Sequence, residues 1–232
     1  MTAHPQLTFA FDHRPALSGE DFLVAPNNSE AVAWLDRWPD WPSPVLSVHG
    51  PPASGKTHLA QVFMVRSGAV LAAPQAVAEI DPGLLLGAAR ACVIDDAEAL
   101  ITEGREEALL HLYNSVHEAG RHLLLTSVRA PARWGARLAD LRSRLVAATA
   151  VAIGPPDDAL IAAVLVKLFA DRQLKVDEDV ISYMVTRMER SLEEARRLVA
   201  ATDAAALAER RSITVPLVRR VLERPPNEGH GG

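Results

Sequence analysis

From Val45 onward the chain alternates short, uninterrupted apolar runs with longer stretches of helical spacing. Val45–Val48 is the first run; it ends at Gly50, and helical spacing follows through Leu59, Val62 and Phe63. Ala69–Ala72, Ala91–Ile94, Leu123–Leu125 and Ala150–Ile153 repeat the pattern. Between them, Glu106 to Glu118 carries Leu109, Leu110, Leu112, Tyr113 and Val116 at the spacing of an amphipathic helix. Strands with no polar alternation are buried on both faces, so the pattern predicts an α/β fold: a parallel sheet flanked by helices. After Pro156 the strand signals stop. Segments 157–171, 177–188, 192–208 and 215–222 read as helices, with Asp157 and Asp177 placed for N-caps or first turns and Pro216 in a first turn. Upstream, Glu30–Trp38 has helical spacing, and Pro39, Pro42 and Pro44 end it. The expected organisation is a flexible N-terminal segment (1–19), an α/β domain (20–154), an all-helical domain (155–223) and a disordered tail (224–232).

Composition narrows the class. Of 232 residues, 49% are hydrophobic and 23% charged, the balance of a soluble globular protein, while 5% aromatic content requires an aliphatic core. A net charge of -5 argues against a surface given wholly to nucleic acid and leaves room only for a local basic patch. The single cysteine, Cys92, excludes an internal disulfide and any multi-cysteine metal site. The opening residues lack a secretory signal, and no apolar run approaches a membrane span, so a cytoplasmic protein without membrane contact is expected. The histidines form no metal-ligand spacing and no serine sits in G-x-S-x-G.

The chemistry concentrates at Gly50-Pro51-Pro52-Ala53-Ser54-Gly55-Lys56-Thr57, which fits G-x-x-x-x-G-K-[ST] between a strand and a helix. Glycines let the loop turn so that successive N–H groups converge on phosphate oxygens at a helix N-terminus. Lys56 supplies a point charge to the terminal phosphates, the Thr57 hydroxyl can ligate Mg2+, and His58 follows directly. Asp95 and Asp96 end the apolar run that should form the other half of such a site. Asp95 would hold magnesium, and Asp96 sits where an ATPase often carries Glu to polarise water. Thr126 and Ser127 end the next run, either as contacts to the γ-phosphate or its attacking water or simply as small polar residues at a strand end. Arg129, Arg133, Arg137, Arg142 and Arg144 make the following segment basic; a solvated face accounts for most of them, and one is available as a finger into a neighbouring subunit's nucleotide.

With these residues the chain resembles the AAA+ ATPases, and among them the DnaA-related group, over about residues 20 to 223. Phe22 to Asn28 with Ala31 is similar to the segment that lines the adenine pocket there, Val24 included. Gly50–Thr57 and Cys92–Asp96 match the Walker A and Walker B motifs, and Leu138–Leu145 resembles the arginine-finger box, whose Ser-Arg-Leu ending aligns the finger to Arg144. The helical domain then corresponds to the AAA+ lid, with nucleotide (ADP or ATP, with Mg2+) expected between the two parts. Gln6-Leu7-Thr8-Phe9-Ala10-Phe11 resembles peptides that dock on the bacterial sliding clamp, the DNA polymerase β subunit, with Gln6 in a polar pocket and Leu7, Phe9 and Phe11 in an apolar groove. A clamp peptide ahead of a DnaA-like module that ends after the lid implies a regulator of DnaA. Such a protein would tether to the clamp and stimulate hydrolysis of DnaA-bound ATP, with DNA reached through the clamp and a homodimer as a further arrangement. A self-acting ATPase of the helicase-loader kind and a clamp-tethered adaptor without hydrolytic role are the alternatives. Two departures stand out: Val128 replaces the usual Asp after Thr-Ser, and the lid's nucleotide-sensing arginine aligns near Glu193, with Arg190, Arg196 and Arg197 close by. Both favour a regulator whose own ATPase is weak.

Overall fold

A computed structural model describes residues 12–14 and 22–223. A short antiparallel pair, β1 (Asp12–Arg14) and β2 (Phe22–Val24), precedes α1 (Ser29–Asp36). There follow β3 (Val45–His49), α2 (Lys56–Ser67), β4 (Val70–Leu71), α3 (Pro74–Glu79), α4 (Pro82–Leu86), β5 (Ala91–Ile94), α5 (Glu98–Thr102), α6 (Glu106–Glu118), β6 (His122–Ser127), a 3-10 turn (Pro131–Arg133), α7 (Ala139–Ala147) and β7 (Thr149–Ala152). The sheet runs β4-β5-β6-β3-β7 with every pairing parallel. Thus β6 is inserted between β5 and β3, and Val48 of β3 pairs with Thr126 of β6.

The uninterrupted apolar strands divide their side chains between two cores. Cys92, Ile94, Leu123 and Leu125 face a layer that includes Val77, Leu86, Leu100, Leu109, Leu112, Leu141 and Leu145. Their neighbours Ala91, Val93 and Leu124, with Leu46, Val48 and Val151, face Ala31, Leu35, Leu59 and Phe63 on the other side. The period of two is present, but both faces are apolar, so the alternation is invisible in the hydropathy pattern. Several aromatics gather beneath α1 and α2: Trp41 stacks on Phe63 at 5.5 Å and donates its indole N–H to the Trp34 carbonyl. These tryptophans are packing, not a base-stacking platform.

The chain from Pro156 onward clusters as a second compact unit, distinct from Asp12–Pro155. It holds α8 (Asp158–Asp171), α9 (Glu178–Arg187), α10 (Leu192–Glu209) and α11 (Val215–Glu223). Asp157 caps α8 by accepting from the Leu160 N–H at 2.7 Å, and Ser191 caps α10 from the Glu194 N–H. Ile161, Leu165, Phe169, Ile181, Met184, Leu198, Leu217 and Val218 form its separate core. Among the described residues, no helix is long and apolar enough to cross a membrane.

Candidate nucleotide site and arginine finger

The loop after β3 is shaped for close backbone approach. A Cβ on Gly50 would lie 2.2 Å from the Ile153 carbonyl oxygen, so only glycine fits there without moving backbone. Ala53 and Gly55 both take positive φ, +58° and +101°, which turns the loop into α2. Gly55 caps α2 without a side-chain bond, leaving the first N–H groups of that helix available to an anion. The Ser54 hydroxyl is buried and finds no hydrogen-bond partner among the described residues. The Lys56 ammonium lies back over the loop, donating to the carbonyls of Gly50 at 2.9 Å and Pro51 at 2.7 Å. Burial holds its pKa below the usual lysine range, against the opposing pull of Asp95 and Asp96. Pro51 and Pro52 form the exposed outer rim of the loop, and His58 lies half-buried in the first turn of α2.

Strand order explains how the carboxylates meet this loop. Because β6 separates β5 from β3, its last residues stand beside both strand ends. Thr126, fully buried, donates its hydroxyl proton to one Asp95 oxygen and accepts the Asp96 N–H at 2.9 Å. The Thr57 hydroxyl donates to the other Asp95 oxygen at 2.9 Å. Asp95 is thus aimed at the loop from two sides, while Asp96 is exposed with a left-handed φ of +57°. Among the described residues no three His, Cys, Asp or Glu side chains gather for a metal, so a cation here would need phosphate oxygens to complete its shell. The donors fit a nucleoside phosphate with a hard cation: amides and an ammonium for the phosphates, a hydroxyl and a carboxylate for the metal. The segment around Val24 is brought to the same place. The Asn27 amide donates to the Gly154 carbonyl at 3.2 Å, next to the Ile153 that crowds Gly50, and Asn28 braces the turn by bonding the Ala25 N–H and the Leu23 carbonyl. These two asparagines read in the sequence only as a turn.

The basic segment resolves into arginines of different kinds. Arg129 is tied to the buried Glu98, which also accepts its N–H. Arg144, on α7, makes a two-point pair with Asp140 (Nε to Oδ1 3.1 Å, an Nη to Oδ2 3.3 Å) and its guanidinium lies 5.3 Å from the Tyr113 ring centre. Arg142 is exposed with no ion pair among the described residues. Val128, which follows Thr126 and Ser127, is 48% exposed. In the helical unit Glu193 is exposed in the first turn of α10, where an acidic residue suits the helix dipole. Arg190 pairs with Asp158 and Arg197 with Glu194, leaving Arg196 exposed and unpaired among the described residues. Gln6, Leu7, Phe9 and Phe11 lie outside the described residues. A cavity of about 850 Å³ opens beside Ile80, Asp81, Glu107 and Arg137, away from every residue of the loop, so the nucleotide assignment rests on the geometry of the loop.

Comparison with known proteins gives one family model: residues 158–222 match the Hda lid domain. The replication initiator DnaA of Thermomicrobium roseum is 28% identical over 204 residues, covering 78% of this chain. The chain spans only 43% of that initiator's length. Domain III of the Thermotoga maritima initiator DnaA superposes with a TM-score of 0.74 at 20% identity, over 87% of this chain and 93% of that one. The AMPPCP-bound DnaA of Aquifex aeolicus superposes with a TM-score of 0.67 at 18% identity, over 85% and 68%. The folds are the same.

Proposed function

We propose, from the similarity of residues 158–222 to the Hda lid and of the chain to DnaA, that this is a DnaA-related AAA+ protein and a regulatory inactivator of DnaA that binds nucleotide itself and stimulates hydrolysis of ATP on its partner. The observation that carries this reading is the match of residues 158–222 to the lid of Hda, joined to a domain with a DnaA-like fold. Gly50 to Thr57 and His58, with Val24 and Thr126 alongside, hold ADP or ATP; Thr57 and Asp95 hold Mg2+, which screens the phosphate charge. On this reading its own turnover is weak. Asp96 is a methylene shorter than the usual glutamate, and Val128 offers no polar side chain after Thr126 and Ser127.

The action is then in trans. On DnaA, water attacks the γ-phosphorus, the bond to the β-phosphate oxygen breaks, and ADP remains on the initiator in its inactive form. Arg144 approaches the equatorial oxygens and stabilises the charge that develops there. Its pairing with Asp140 does not prevent this, because an exposed i,i+4 pair is worth only about 0.3–0.5 kcal/mol. The Gln6–Phe11 peptide docks on the sliding clamp β subunit and so confines the reaction to clamp loaded on DNA; DNA contact goes through the clamp, and a homodimer is compatible with the scheme. The test is phosphate release from ATP-loaded DnaA with clamp, DNA and this protein, each omitted in turn. Release that needs all components supports the reading. Appreciable release by this protein alone favours a self-acting ATPase, and an intact partner nucleotide favours a non-hydrolytic adaptor.

A further inference from the structure

Resting on the assignment of Arg144 as the finger, we propose that Glu106 and Tyr113 of α6 are positioning residues that mount the finger helix α7. The two lie seven residues apart, two helical turns, and therefore share one face of α6. Both are buried. Helix α7 has no cap of its own: Leu138 stands at its N-cap position and makes no side-chain bond. The Glu106 carboxylate, 32 residues upstream of Leu138, instead holds the chain that leads into the helix, at the N-cap residue and the residue before it. It accepts the Leu138 N–H at 2.8 Å and the Arg137 N–H at 2.9 and 3.1 Å.

A cap supplied by the preceding residue would stabilise the first turn of α7 and leave its placement free. Bonds from α6 to the N–H groups of Leu138 and Arg137 instead fix the entry into that turn and tie α7 to α6. At the other end of the face, the Tyr113 ring lies under the Arg144 guanidinium at 5.3 Å. Leu141 and Leu145, both fully buried and one turn apart, hold α7 on the core independently of either contact. Removing Glu106 should therefore leave a folded helix whose register against α6 is loose, with Arg144 displaced from its line of approach.

The test uses the full-length protein with clamp, DNA and ATP-loaded DnaA. Glu106→Ala should lower the maximal rate of DnaA-dependent phosphate release by about 10-fold or more, since misplacing a reacting group by ~1 Å costs up to about 10²-fold. The DnaA concentration giving half-maximal rate and the affinity for ADP should stay at wild-type values. Tyr113→Leu should behave likewise and Tyr113→Phe, which keeps the ring, should not. In an Arg144→Ala background, Glu106→Ala should cause no further loss. Glu106→Gln, which keeps one acceptor and the packing, guards against unfolding. If rate loss across Glu106→Gln and Glu106→Ala merely follows melting temperature and ADP affinity falls with it, the residue is structural and the proposal is wrong. If Glu106→Ala matches wild type while Arg144→Ala is inactive, the positioning role fails and the finger stands. If Arg144→Ala keeps full stimulation, the finger assignment itself fails.

Discussion

At the scale of single residues the account turns on a few charges and one buried thiol. Lys56 lies on the loop carbonyls of Gly50 and Pro51 and is free to exchange them for phosphate oxygens. Lys56→Ala removes a charge-assisted contact worth about 1.5–3 kcal/mol, so ADP affinity should fall by roughly 10- to 100-fold in a calorimetric titration. Equal affinities would remove the loop from the binding site. Cys92 sits in β5 with no exposure, and burial pushes its thiol up to about 12. It should resist a thiol reagent at neutral pH until the protein unfolds, and labelling at the rate of a free thiol would contradict its place in the core. The loop and the acidic pair were legible in the sequence because a motif fixes residue types at fixed spacing. The part played by Thr126 was only half legible. Its place at a strand end suggested a phosphate contact, but the strand order that sets it against Asp95 leaves no trace in local sequence.

At the scale of elements the same contrast holds. The apolar strands and the long helices are readable because each is a run of one period, and Glu106 to Glu118 is a helix over the span its spacing predicts. The antiparallel pair β1–β2 and the short helices α3, α4 and α5 escape such reading, being too brief to show a period. Helix α7 shows in the sequence as an arginine-rich stretch resembling a finger box, but its anchoring does not, since the carboxylate that holds its entry belongs to a glutamate that looks like any first-turn charge of α6. That glutamate makes a pH prediction. The Leu138 N–H above all, then the Arg137 N–H and guanidinium, hold its carboxyl below the usual range against the cost of burial. A lowered native pKa means the stabilisation is complete above the ordinary carboxyl range and disappears as pH falls through the lowered value. The wild type should therefore be more stable than Glu106→Gln at neutral pH, with the gap closing under acid in paired melting curves. A gap that stays constant with pH would contradict the carboxylate's role. Gly50→Ala belongs to this scale too. Its new Cβ meets the Ile153 carbonyl oxygen at 2.2 Å, so β3 and the chain after β7 must part, and both melting temperature and ADP binding should drop.

For the whole molecule, the proposed function makes the nucleotide-binding scaffold a carrier: one end for the clamp, one arginine for the initiator. If the Gln6–Phe11 segment binds the clamp as proposed, Gln6→Ala with Leu7→Ala should abolish co-elution with the clamp and leave the melting temperature unchanged. Persistent co-elution, or a large loss of stability, would contradict the peptide reading. The two arginines of α7 separate mechanism from charge. Arg142 is exposed and unpaired among the described residues, Arg144 is placed by Asp140 and Tyr113, and only the second should matter. Lysine at 144 keeps the charge but lacks the planar fork of donors, so Arg144→Lys should rescue poorly. The most direct measurement is the release of labelled γ-phosphate from DnaA-bound ATP in the presence of DNA-loaded clamp and this protein, comparing wild type with Arg144→Ala and Arg142→Ala. The account predicts that Arg144→Ala abolishes a stimulation on the order of 10³-fold while keeping clamp binding, ADP affinity and thermal stability, and that Arg142→Ala behaves as wild type. Undiminished release with Arg144→Ala would contradict it.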